Sequence, residues 1–169
     1  LLMYIIFGAE PLVSGYIIAL ESLGWTVLAI STSGVSVRVE ARLIRLGSIL
    51  VSISMVGLIY AMPSGPIWLI ALLSSIMGMG FGMSWSFVSK RIIANVSEAE
   101  RAQASASIPT FMRVSMALGS ALSGIIANFS GFSEDSSVEV AQNVAFWCFA
   151  AFVPLILVGL FTAWRVSRE

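Results

Sequence analysis

The chain has 169 residues, of which 58% are hydrophobic and 11% charged, with a mean hydropathy of +0.96, whereas soluble domains average about 45–50% apolar and about a quarter charged. That balance excludes a water-soluble globule, and nine basic against nine acidic residues leave no positive field to hold nucleic acid. With Cys148 alone and no histidine there is no intrachain disulfide and no usual transition-metal ligand set, so neither a metal nor a cofactor is expected.

What remains is an all-α integral membrane protein, a polytopic helical bundle surrounded by the lipid bilayer. Crossing about 30 Å of hydrocarbon takes about 20 mostly apolar residues. The opening run LLMYIIFG reaches only about 12 Å as a helix. Residues 1–10 therefore read as the end of a truncated transmembrane helix followed by an outer loop, and the chain as a fragment.

The first full span is expected over residues 12–33, after Glu10-Pro11. Small residues recur along it at Gly15, Ala19, Ser22, Thr26, Ala29 and Ser33. Lipid is as apolar as Leu, so close contact of small residues, not hydrophobicity, joins helices in a membrane. Glu21 lies near the middle of this span, sharing a face with Ser14, Trp25 and Thr32. A charge at the bilayer centre costs about 2.5–3.5 kcal/mol, which marks it as a functional candidate.

The second span, 46–62, follows Arg38, Arg42 and Arg45 and ends at Pro63-Ser64-Gly65-Pro66; its small residues are sparser. The third, 67–89, carries Ala71, Ser75, Gly78, Gly82, Ser86 and Ser89 on one stripe and Trp85 within it. The fourth, 104–129, repeats the device with Ala106, Thr110, Ala117, Ser120, Gly124 and Ala127, with Gly119 nearby, and holds Arg113. The fifth, 144–164, is bulky nearly all round and contains Pro154, which predicts a kink. The first, third and fourth spans are thus expected to form a tight inner set and the other two an outer set. Glu21 and Arg113 are expected to approach one aqueous cavity, Glu21 taking up a proton or cation and Arg113 pairing with it or holding an anion; a static buried pair, or an Arg113 that snorkels, stands as the plain alternative. Trp25 and Trp85 lie within spans and not clearly at their ends, which makes them candidates to line an apolar cavity.

Eight of the nine basic residues fall on one side of the alternating spans. The positive-inside rule makes that side, with the C-terminus, cytoplasmic.

The basic loop Gly34-Val35-Ser36-Val37-Arg38-Val39-Glu40-Ala41-Arg42 resembles the G-x-x-x-D-R-x-G-R-R loop of the major facilitator superfamily at Arg38, Arg42 and, with a slip of one residue, Gly34. Val37 stands where the family has Asp, and Glu40 and Ala41 also depart, so a full charge-relay gate is not implied. The strings Ala9-Glu10-Pro11-Leu12-Val13-Ser14-Gly15, Leu23-Gly24-Trp25-Thr26 and Glu100-Arg101-Ala102-Gln103-Ala104-Ser105 are family-like as well. The resemblance covers essentially the whole chain. It implies the C-terminal half of a twelve-helix transporter in a cell membrane, moving a small-molecule substrate by alternating access, most similar to proton-coupled drug or metabolite efflux members. It also implies a missing N-terminal half as partner. An uptake permease and a non-transporting scaffold or receptor stand as alternatives. An enzyme is not expected, because no nucleophile and base pair occurs in the spans.

Overall fold

The computed structural model describes residues 1–133 and 135–168. Among them the regular structure is entirely helical: α1 (Leu2–Phe7), α2 (Pro11–Ser31), α3 (Val37–Ser64), α4 (Ile67–Ala94), α5 (Arg101–Phe129), α6 (Val138–Ala150) and α7 (Val153–Val166). Among the described residues five helical segments are long and apolar enough to cross a membrane, with α6 and α7 together forming the fifth.

The local sequence explains most helix ends. Gly8 ends α1 in a left-handed conformation, φ 63°, that other residues adopt at a cost. Pro11 opens α2 at its first turn, where a missing N–H is no loss. The Ser97 hydroxyl bonds Glu100 Oε2 at 2.6 Å in a capping box ahead of α5, and Ser137 accepts from the Val140 N–H at the start of α6.

Helices α3 and α4 extend past the apolar runs that mark them in the sequence. Arg38, Glu40, Arg42 and Arg45 lie on the first turns of α3 instead of in a loop, and Lys90 and Arg91 on the last turns of α4. Hydropathy marks where a helix enters hydrocarbon, not where its hydrogen bonding stops. The fifth span is interrupted at Ala151–Phe152, and Pro154 sits at the start of α7. Proline lacks the N–H that would have continued the ladder to residue 150.

The packing order differs from the expected inner and outer sets. Helix α4 lies between α2 and α3, and α3 packs on its far side against α6 and α7. The second span is therefore central, whereas α5 touches α4 and α6 only sparsely and buries no residue. Gly15, Gly119 and Gly124 face open space, so the close packing expected at them is not made within this chain. The stripe on α2 likewise turns outward at Gly15, Ala19, Ser22 and Thr26. Its hydroxyls need no partner helix: Ser22 donates to the Ile18 carbonyl at 3.0 Å and Thr26 to that of Ser22 at 2.9 Å.

The seams form at other glycines. A Cβ on Gly78 would stand 2.0 Å from the Glu21 carbonyl oxygen, and one on Gly82 2.3 Å from that of Trp25. Across the opposite face of α4, Gly47 and Gly80 meet backbone to backbone. A Cβ on Gly47 would stand 2.4 Å from the Gly80 carbonyl oxygen, and one on Gly80 2.6 Å from that of Gly47. One end of the bundle is closed by Leu58, Ala61, Ile70 and Leu73, against which Met3, Phe7, Ile17 and Phe149 pack.

Candidate functional site

Glu21 is half-buried on the face of α2 that rests on α4. That face runs Ser14, Ile17, Glu21, Gly24, Trp25, Leu28 and Thr32, each buried or half-buried. It is the Glu21 face of the helical wheel, not the small stripe beside it. Only glycine at 78 lets the Glu21 backbone approach so closely, and the backbone on both sides of the carboxylate is thereby held against α4.

One turn along, the Trp25 indole stacks on Phe81 of α4, with ring centroids 5.4 Å apart and planes 18° apart. Phe81 and Trp85 both line a half-open cavity of about 700 Å³ between α3, α4, α6 and α7. Trp85 is part of its wall, whereas Trp25 stacks on Phe81 and does not line the cavity itself. Sequence reasoning did not find Phe81, Gly24 or the Gly47–Gly80 contact. The signal for the last was a glycine on each of two successive spans, which says nothing about mutual approach until register is known.

Arg113 is exposed on α5, and no ion pair joins it to Glu21. Gly34, at φ 81°, sits in the connection between α2 and α3, and Arg38 and Arg42 are exposed at the start of α3. The residue that carries an interaction there is Glu40, which the loop comparison marked only as a departure. Its side chain is 5% exposed and accepts from Lys90 Nζ at 2.6 Å, tying the start of α3 to the end of α4. Among the described residues this is the only ion pair. Beside it, Arg91 Nη1 donates to the Val166 carbonyl and joins α4 to the last turn of α7.

Over 94% of its length the chain is 25% identical to a probable multidrug-efflux transporter of Mycobacterium tuberculosis, at the same level in the CDC 1551 and H37Rv strains. It spans about a third of the length of these relatives, 34% of each. No protein-family model and no solved structure matches it.

Proposed function

We propose that this chain is the C-terminal half of a major facilitator superfamily transporter that exports small molecules by alternating access, coupled to protons, in a cell membrane with its C-terminus cytoplasmic. The observation that carries the reading is Glu21: an ionisable side chain in the middle of a 21-residue apolar helix, on the face that rests against a glycine seam. A carboxylate is costly at that depth and is retained where water or a ligand reaches it. The similarity to probable multidrug-efflux transporters supports the same direction. The outward-turned small residues of α2 and the sparsely packed α5 with Arg113 supply faces for a second half-bundle, and the substrate binds between the two halves.

In this reading Glu21 exchanges a proton with the substrate pathway, and Arg113 faces that pathway when the halves are joined. The test is Glu21→Gln in the complete transporter reconstituted in vesicles. Flux driven by an imposed pH gradient is lost, while exchange of substrate for substrate, which needs no net proton movement, persists. Gradient-driven flux equal to that of the unsubstituted protein overturns the assignment.

A further inference from the structure

Helix α3 places three arginines on one side. Arg38, Arg42 and Arg45 follow at steps of four and three, which stacks them over successive turns. Arg38 and Arg42 are exposed, and Arg45 is half-buried with its Nε donated to the Ala41 carbonyl at 3.3 Å. The same steps continue through Ile49, Ile53 and Val56 to Tyr60, with Leu46 at the edge of the stripe. All of these are exposed except Ile49, which is half-buried. The opposite side of α3 is the buried one, where Glu40, Gly47 and Leu58 meet Lys90, Gly80 and Leu73 of α4. Since α4 lies between α2 and α3, the stripe also points away from α2, the helix whose outward face is assigned to the second half-bundle.

No negative charge on the stripe offsets the arginines. Glu40 is the only acid of α3, and it lies on the buried side, held by Lys90. Among the described residues none of the three arginines pairs with an acid. The dimensions fit a bilayer. From Arg42 to Tyr60 the helix axis advances about 27 Å, close to the roughly 30 Å of hydrocarbon. At the far end Tyr60 and, across the turn into α4, Trp68 expose their rings, as side chains at a headgroup level do. The aliphatic part between, Leu46 to Val56, covers about 15 Å, the depth of one leaflet.

This face therefore offers uncompensated guanidinium groups at one headgroup level, continuous with an aliphatic surface as long as one lipid chain. We propose that it binds an anionic phospholipid of the adjoining leaflet, with the phosphate on Arg38 and Arg42 and an acyl chain along Leu46, Ile49 and Ile53. Guanidinium and phosphate match in charge and in bidentate geometry. A zwitterionic lipid carries a cation beside its phosphate and gains less from the same arginines. The site does not involve Glu21, so it stands or falls separately from the role given to that residue.

The test uses the complete transporter in phosphatidylcholine bilayers containing a minor fraction of either acyl-brominated phosphatidylglycerol or acyl-brominated phosphatidylcholine. Ile53→Trp puts an indole at an exposed position in the middle of the stripe. Bromine quenches indole fluorescence on contact, and the difference from the unsubstituted protein isolates the introduced indole. Brominated phosphatidylglycerol is expected to quench it at lower mole fraction than brominated phosphatidylcholine. In the same background Arg38→Gln and Arg42→Gln, both at exposed positions, each reduce that preference by roughly fivefold. Arg101→Gln, equally exposed at the same end of the bundle but on α5, leaves it unchanged. Equal quenching by the two lipids, or a preference that survives both α3 variants, overturns the proposal. So does an equal loss in Arg101→Gln, which would mean a diffuse surface potential and no site on α3. An indole that neither lipid quenches also overturns it, because protein would then cover the stripe.

Discussion

Replacing Gly78 by Ala puts a single methyl group into the α2–α4 seam. The added Cβ would meet the Glu21 carbonyl oxygen at 2.0 Å, its carbonyl carbon at 2.8 Å and its Cα at 3.1 Å. All three are backbone atoms, so no rotamer change relieves the clash. Side-chain Cβ atoms are essentially never found closer than 3.0 Å to a neighbour, so the helices must separate by about 1 Å at this point. The Gly82 contact with Trp25 and the Gly24 contact with Ser75 lie on the same seam and loosen with it. Overpacking of this kind costs about 1–3 kcal/mol. The assay is thermal unfolding in detergent, followed by a thiol-reactive dye on Cys148, the single and half-buried cysteine. Gly119→Ala is the control, because nothing lies within 4 Å of its Cβ position; there the gain in helix propensity is roughly 0.5–1 kcal/mol in favour of Ala. A Gly78→Ala chain that unfolds at the temperature of the unsubstituted one would refute the close seam, as would a Gly119→Ala chain destabilised to the same extent.

Further outcomes follow from the same contacts. Gly57→Ala meets only the tip of the Leu73 side chain, at 2.9 Å, and a rotamer can yield, so in the same dye assay it destabilises clearly less than Gly78→Ala. Lys90→Met strands the buried Glu40 carboxylate and costs about 1–3 kcal/mol; the double variant with Glu40→Gln recovers most of this, and a double-mutant unfolding cycle with no coupling contradicts the pair. Trp25→Leu forfeits the stack on Phe81, worth about 0.5–1.5 kcal/mol beyond the area lost, while Trp25→Phe retains most of it. Pro154→Ala restores a donor to the interrupted last span, so amide hydrogen exchange around residues 151–154 slows; unchanged exchange means that another contact holds the break.

The helical class and the presence of five helical segments long and apolar enough to cross a membrane were legible because both depend on local composition. Pro154 marked the break in the last span for the same reason. The order of the helices was not legible. A run of small residues shows that a helix can be approached, but not from which side or by which neighbour. On α2 the hydroxyls of Ser22 and Thr26 bond to their own helix, which leaves that stripe free to face outward, while Gly24 and Gly78 bring the backbones together on the adjacent face. On α3 a thin set of small residues marked an outer helix, yet Gly47 and Gly57 both meet α4 closely, at Gly80 and Leu73, and Ser54 is fully buried without a hydrogen bond. Of the site, Glu21 stood out because charge is rare in a span. Phe81 and Glu40 acquire their roles only from residues on other helices, Trp25 and Lys90.

The central claim is that the Glu21 carboxyl takes up and releases protons while embedded among the helices. Infrared difference spectra of the bilayer-reconstituted complete transporter, recorded across a pH step in unsubstituted and Glu21→Gln forms, test it most directly. The expected result is a protonated-carboxyl C=O band that rises and falls with pH and is missing from the Glu21→Gln spectrum. An identical set of bands in the two proteins would contradict it.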